Sequence, residues 1–493
     1  MSGRFESWGY GKLALLAGAA VIAVPAQADT LREALVEAYN TNPTLQAARA
    51  NQRATDENVP IQKSSGLPSL NTTVTHTEFV DPSNNSFLAP QRNLGVNLAL
   101  GVPIYSGGSV KNGVKAAKER VAAGQANLRG TESSVFSQVV AAYMDVIRNE
   151  AIVGLSANQV DVLSVNLQAT EDRFEIGDLT RTDIAQSQSR LAVAQSDLRT
   201  AQANLITARE TYIQLVGSGP DDLQPPPPLP GLPDTVEDAV YAALENNPDL
   251  TAAKENAEAA GYDVEVAGAG RLPTVSLFAN RDYSNFYGSP AVRITSEFTA
   301  NAGVRVSIPI FQGGRTAALQ RQAGARASAA FEQVIAAERN AIAQVRAAYS
   351  SWQASNAIIE SSKTAVAAAE LSLEGTRAEN SIGNRTILDV LNAEQELLSA
   401  RVQLVTARRN AYVAGFSLLA AMGRAEARDL GLGDEGLLYD PTLNYDRVKG
   451  KIWDWDRDPE PAATATRTVD IPAPDADIPP AETANAESSD GGQ

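Results

Sequence analysis

The feature that most constrains this 493-residue chain is that its plan is written twice. The stretch Arg173–Gly217 has a counterpart at Asn380–Gly423, with Gly177 answered by Gly383, 206 residues on. In the first copy Ile184, Leu191, Leu198, Leu205 and Tyr212 recur every seventh residue. In the second, Val390, Leu397, Leu404, Ala411 and Leu418 do the same. This is the spacing of helices wound on a neighbour. Gly177 and Gly383 are followed, five and six residues on, by Thr182-Asp183 and Leu388-Asp389. One helix stops at each glycine, which takes the left-handed dihedrals of a C-cap, and the next starts within a few residues. Each copy is therefore a helical hairpin with a tight tip.

The duplication extends upstream. Thr30–Asn40 reads as a short amphipathic helix ended by Asn42-Pro43, and Pro43 opens a second helix to about Ser65 with Asn42 as its N-cap. Thr235–Asn246, Asn247-Pro248 and a helix to about Gly270 repeat this 205 residues later. After Gly66-Leu67-Pro68 and Arg271-Leu272-Pro273 the period changes from 3.6 to 2. Leu94, Val96, Leu98, Leu100, Val102 and Ile104 alternate with polar or small residues, and Ser69–Val80 is the partner strand across a loop containing Asp81-Pro82-Ser83-Asn84-Asn85. The expected β-hairpins span about 69–105 and about 274–311. Strands of ten or more residues with one apolar face suit a tilted barrel wall crossing a bilayer; a soluble two-sheet sandwich is the alternative. Four strands cannot close a barrel, for which about eight is the minimum, so several chains must contribute.

Each second strand ends in Pro-Ile-Tyr-Ser-Gly-Gly or Pro-Ile-Phe-Gln-Gly-Gly, and the glycines Gly107, Gly108, Gly313 and Gly314 permit a sharp strand-to-helix turn. Long proline-free helices follow over 108–176 and 315–381, then shorter ones over 181–217 and 386–422. A helix of about 69 residues is roughly 100 Å long, which two shorter helices stacked end to end can match. The predicted organisation is a signal peptide at 1–28, a repeat at 29–217, a Pro-rich linker at 218–234, a repeat at 235–423, an equatorial C-terminal segment at 424–457 and a disordered tail at 458–493. An N-terminal membrane anchor is the alternative to the signal peptide, but its apolar run Leu13–Val24 falls short of the ~20 residues a span needs. Trp453 and Trp455 are expected to tuck against the middle of the rod.

A formal charge of −17 argues against nucleic acid as a partner. With no cysteine there is no disulfide, thiolate metal site, thiol nucleophile or acylated N-terminal Cys. Three motif-like signals are set aside. Gly431–Gly436 fits a dinucleotide fingerprint but follows a helix and carries Asp434 and Glu435. Asp454, Asp456 and Asp458 alternate like a calcium loop, with Pro459 where its Gly belongs. His76 is the only imidazole. No catalytic constellation, cofactor site or metal site is visible, so the reading is of a protein that is not an enzyme.

Asn-Pro near the helix starts, Pro-Ile-Tyr/Phe-x-Gly-Gly at the strand ends and Ile-Gly-x-x-x-Thr/Leu-Asp at the tips closely resemble the TolC family of outer-membrane efflux and secretion ducts, over about Thr30–Gly423. The resemblance implies a mixed α/β membrane protein: a long antiparallel coiled-coil helical barrel continuous with a trimeric, twelve-stranded outer-membrane β-barrel, four strands per chain, with an internal two-fold repeat. It implies location in the cell outer membrane, in contact with its lipid and extending into the periplasm. The implied function is a passive duct for type I protein secretion or small-molecule efflux. The implied partners are two further copies of the chain, a periplasmic adaptor (membrane fusion protein) and an inner-membrane pump. At the tips, Thr182 and Asp183 match the positions that hold a constricting Arg, Arg385 matches that Arg, and Asp389 matches a pore-facing acidic ring. Asn380 stands where the pattern has a gate-linking Tyr, and Asn392 where it has a second acidic ring. The competing reading is a structural or adhesive coiled-coil envelope protein, favoured if the strands do not lie in lipid.

Overall fold

The computed structural model describes residues 30–80, 91–287, 296–433 and 438–473. The Asp81–Asn85 loop, the expected 1–28 leader, half of the Gly431–Gly436 motif and the part of the expected tail beyond 473 lie outside the described residues. The helices are α1 (Leu31–Thr41), α2 (Pro43–Asp56), α3 (Asn58–Ser64), α4 (Ser109–Glu175), α5 (Arg181–Val216), α6 (Val236–Asn246), α7 (Pro248–Gly268), α8 (Arg315–Ser381), α9 (Ile387–Ala421) and α10 (Pro441–Val448). The strands are β1 (Ser69–Glu78), β2 (Arg92–Tyr105), β3 (Thr274–Tyr287) and β4 (Ser296–Ser307).

The sequence reads Pro43 to about Ser65 as one helix, whereas the structure breaks it at Glu57. Pro60 has no N–H to give the Asp56 carbonyl, so the helical ladder fails there and α3 starts afresh. The second hairpin also stops short of Phe311. The β4 ladder ends at Ser307 because that residue faces Thr274, where its partner β3 begins after Pro273, whereas β2 runs on past Pro103 through a register shift and pairs with β3 as far as Tyr105.

The four strands form one antiparallel sheet in the order β1-β2-β3-β4. Its register separates two faces. The rows Leu70–Leu100–Ala279–Ala302 and Val74–Val96–Tyr283–Phe298 lie on one, and Asn71–Ala99–Asn280–Asn301 and Thr73–Asn97–Asp282–Thr299 on the other. On the polar face the Asn97 amide donates to Asp282 at 2.6 Å and that of Asn280 to Asn301 at 3.0 Å. A wall apolar on one side and hydrogen-bonded polar on the other fits lipid outside and water inside. β1 and β4 keep an unpaired edge each.

Two successive left-handed glycines turn each outgoing strand into a long helix: Gly107 and Gly108 at φ 65° and 85°, Gly313 and Gly314 at 59° and 79°. A Cβ on Gly107 would stand 2.9 Å from the Ala269 carbonyl oxygen, so the turn admits only glycine there on two counts. Beyond the turns, α4 and α8 run 67 residues each, about 100 Å. Alongside them the shorter helices are joined end to end by the asparagines of the Asn-Pro pairs. Asn42 Oδ1 accepts from Thr44 and Leu45 at the start of α2, while its Nδ2 donates to the Leu215 carbonyl at the end of α5, 2.9 Å away. Asn247 likewise caps α7 and reaches the Ala421 carbonyl of α9 at 3.1 Å.

The main core sits at this joint, where Phe136, Val140, Tyr143, Tyr212, Phe416, Leu419 and Met422 are fully or almost fully buried. Tyrosine hydroxyls tie the linker down: Tyr143 donates to the Gln224 carbonyl (2.6 Å) and Tyr349 to that of Asp234 (2.8 Å). The C-terminal segment is clamped beside them. Arg129 pairs with Glu426 at 2.7 Å, Glu132 accepts the Ala427 N–H at 2.5 Å, and Arg49 lies between the rings of Tyr39 and Tyr439. Part of the tail expected to be disordered is placed: 458–473 carries no helix or strand but returns to the joint, where Thr466 and Thr468 lie beside Thr41 and Gly217. Trp453 and Trp455 do not tuck against the rod; they are 72% and 75% exposed.

Burial, with Glu426 beside it, pushes the Glu132 carboxyl up to about 7 from its ordinary 4.5. The folded chain therefore keeps a proton that the unfolded chain releases, so this stabilisation is complete below pH 4.5 and is lost as pH rises to about 7. Glu132→Gln, which retains an acceptor for Ala427, should flatten the fall in thermal stability between those pH values. It should also stabilise the protein above them, by on the order of 2 kcal/mol. Thermal unfolding measured across that range checks it, and an unchanged slope would place the titration elsewhere.

Candidate functional site at the helical tips

The two tips are built on one recipe. α4 ends with Gly177 at φ 84°, and the Asp178 N–H closes the turn on the Arg173 carbonyl at 2.9 Å. α8 ends with Gly383 at φ 81°, and the Asn384 N–H reaches the Glu379 carbonyl at 2.9 Å. The return helices start with a capping box. Asp183 accepts from the Thr180 N–H (2.8 Å) and hydroxyl (2.7 Å), and Asp389 from the Thr386 N–H (2.9 Å) and hydroxyl (2.8 Å). Hydrogen bonds from the threonine hydroxyl and then its N–H hold each carboxyl below its ordinary range, so both stay charged at neutral pH.

Thr182 is exposed on the first turn of α5. Within the single chain Arg385 is not held by Asp183. Its Nε donates to Glu379 at 2.7 Å, six residues back across the same turn, while the cap occupies Asp183. Glu379, which the sequence did not single out, is thus the counter-ion of the candidate constricting Arg. Asn380, in place of a gate-linking Tyr, closes its own tip by donating to the Arg385 carbonyl at 2.8 Å.

The hairpins of one chain meet just above the tips. Leu163 and Ala194 of the first pack with Leu391 of the second, flanked by Val160, Leu191 and Ile387. At the same level Arg190 donates to Asn392 across the gap, Nη2 to Oδ1 2.7 Å. Asn392 therefore links the two hairpins where an Asp would have added charge. No sequence spacing could have paired residues 202 positions apart on different hairpins. A second pair, Arg377 with the almost fully buried Glu394, fastens α8 to α9 inside the second hairpin.

The residues set aside earlier have local occupations. Asp456 pairs with Lys451 at 3.0 Å and Asp458 with Arg447 at 2.6 Å, and His76 shares a hydrogen bond with Tyr287 at 2.9 Å. Among the described residues, no helix is long and apolar enough to cross a membrane.

The geometry is that of a known architecture. The outer membrane efflux protein family matches residues 34–218 and 239–424, one match per repeat. The chain is 35% identical over 438 residues to the outer membrane efflux protein BepC of Brucella suis, covering 89% of this chain and 94% of that one. It is 25% identical over 411 residues to the outer membrane protein TolC of Vibrio cholerae, covering 82% and 92%. Among solved structures, the outer membrane protein VceC of Vibrio cholerae superposes with a TM-score of 0.68 at 25% identity over 80% of this chain and 96% of that one. The sheet is the outer-membrane portion, the helices extend into the periplasm, and the chain belongs to the outer membrane efflux protein family as an export duct.

Proposed function

We propose that three copies of this chain close one twelve-stranded barrel and one helical tunnel, forming the outer-membrane component of a tripartite exporter completed by a periplasmic adaptor and an inner-membrane pump. The observation that carries the reading is the sheet: four strands, one apolar face and an open edge at each side. Edges of that length are closed by further copies, because a bilayer offers no hydrogen bonds. The exposed Ile310 and Phe311 beyond β4 add apolar surface at the same seam. The chain is similar both to the outer membrane efflux protein BepC and to the alkaline protease secretion protein AprF of Pseudomonas aeruginosa, which supports a duct for type I protein secretion, small-molecule efflux or both. A duct does no chemistry; selection belongs to the pump. Native mass spectrometry in mild detergent should give a trimer, and a monomer would overturn the reading.

The tips act as the periplasmic gate. In a closed trimer Arg385 leaves Glu379 for Thr182 and Asp183 of a neighbouring copy, so Glu379 competes with closure. Arg385→Ser should raise single-channel conductance in planar bilayers, whereas Glu379→Gln should lower it. Equal conductance in both variants would show that Arg385 only braces its own turn.

Asp389 supplies one carboxylate per copy. Three of them at a narrow axial mouth concentrate negative potential and bind multivalent cations more strongly than one exposed carboxylate does. Because Asp389 also caps α9, Asp389→Asn is the informative change: it keeps an acceptor for Thr386 and removes the charge. Divalent or trivalent cations added from the periplasmic side should block the parent channel and leave Asp389→Asn conducting. Persistent block in that variant would place the acidic ring elsewhere.

A further inference from the structure

The C-terminal segment leaves the joint, travels toward the membrane and comes back, and its turning point carries the most exposed large side chains of the segment. Its upward path is fixed by successive contacts along α2 and α3. Asn444 donates to the buried Asp56 at 2.7 Å, Tyr445 packs on the cluster of Val59, Ala117 and Val121, and the Lys449 carbonyl lies 3.5 Å from the ammonium of Lys63. Each contact is further along the chain than the last, and Lys63 stands six residues before Ser69, where β1 begins. The helix ends there in a turn, with the Lys451 N–H bonded to the Val448 carbonyl at 3.0 Å, so Ile452 and Trp453 follow within a few residues of the level at which α3 hands over to β1. The return is fixed as firmly. The Asp456 N–H closes a turn on the Trp453 carbonyl at 3.1 Å, Lys451 pairs with Asp456, and Asp458 comes back to Arg447.

That turn displays Ile452, Trp453 and Trp455, exposed by 72%, 72% and 75%. Three large apolar groups held out of the core by an ion-paired frame require an occupant. Tryptophan is enriched where hydrocarbon meets headgroups, because its ring is apolar and its N–H needs a polar partner. From Asp446 to Asp458 four basic residues (Arg447, Lys449, Lys451, Arg457) balance four acidic ones (Asp446, Asp454, Asp456, Asp458), so no net charge repels a phospholipid surface. The strand ends that follow α3 and precede the long helices carry the exposed Leu70, Ile104, Tyr105 and Val306, apolar groups that mark the lipid boundary on the periplasmic side of the sheet.

We propose that residues 451–456 form an interfacial anchor that seats Ile452, Trp453 and Trp455 in the periplasmic leaflet of the outer membrane beside the barrel. The partner is phospholipid, bound at the boundary of headgroups and acyl chains. One such turn per copy fixes the height of the equatorial segment against the bilayer, separately from the strands. It ties the helical tunnel to the membrane through a second contact.

The chain's four tryptophans make the test direct. Trp8 lies in the leader and Trp352 packs on Tyr349 at the joint, ring centroids 5.9 Å apart, so W8F/W352F leaves Trp453 and Trp455 as the only reporters. The full-length variant is reconstituted into phosphatidylcholine vesicles, with channel conductance confirming barrel insertion independently. Phospholipid brominated near the top of its acyl chains should quench roughly half or more of the emission, as for other interfacial tryptophans, and aqueous iodide should quench little. Strong iodide quenching without bromolipid quenching would mean a turn free in water. Protection from both would mean a turn covered by a neighbouring copy or by the tail. Either result overturns the anchor while leaving the duct intact.

Discussion

The structure depends on two asparagines that splice helix ends. A helix about 100 Å long needs a partner of the same length, and in each repeat that partner comes from two pieces distant in sequence. Every such joint brings together the unpaired carbonyls of one helix end and the unpaired N–H groups of the next, a costly arrangement if both are buried without partners. Asn42 and Asn247 resolve it because a primary amide both accepts and donates. The oxygen caps the starting helix and the NH2 satisfies the ending one. Aspartate could cap but not donate, and serine is too short to span the gap. The following proline, Pro43 or Pro248, starts each helix without adding another N–H to satisfy.

The largest side chains gather at the joint because only there does the wall have depth. Tyr143 and Tyr349 fill that depth and still extend a hydroxyl to the linker, so the segment between the repeats is ordered by their hydrogen bonds without any periodicity of its own. Elsewhere the wall is thin, and much of α8 remains exposed in a single chain; Phe331, Ile335 and Ile358 are all more than 40% open. An apolar stripe along a helix at one side and open strands at both sides of the sheet express one requirement, that the fold is completed by its own copies.

Whatever follows from periodicity was legible in the sequence. The long helices, the return helices and the β2 and β3 strands agree with the pattern to within a few residues. In β2 the reason is plain: Leu94, Val96 and Leu98 alternate strictly with small and polar residues, a period no helix shares. Positions governed by a single backbone group were read less well. Pro60 splits a helix whose side-chain pattern continues through it, and β4 stops at Ser307 because the backbone of its partner β3 enters the sheet only at Thr274. The tail fared likewise: its composition says little, yet Thr466 finds Gly217. At the tips the residue types were visible, but the pairings were not. Glu379 and Arg190 are ordinary helix-surface charges until the fold places Arg385 and Asn392 opposite them.

At the tips, residues that build the turns are the same ones assigned to the proposed gate. Asp183 and Asp389 are present first as caps: each holds the N–H and hydroxyl of the threonine that starts its return helix, groups otherwise left to water at an exposed turn. Once used as caps, their carboxylates are fixed in place and kept ionised by the hydrogen bonds that define them, which makes each a reliable fixed charge at the end of the tunnel. Arg385 is free of that duty. It sits on the turn, paired with Glu379 at an exposed position, where water and salt weaken any single ion pair. An arginine whose partner is exposed can exchange it for a similar carboxylate on a neighbouring chain with little change in solvation. In the proposed gate the caps therefore supply a charge pattern that does not move and the arginine the bond that does, and opening would need only the exchange of exposed partners, with no helix end unmade.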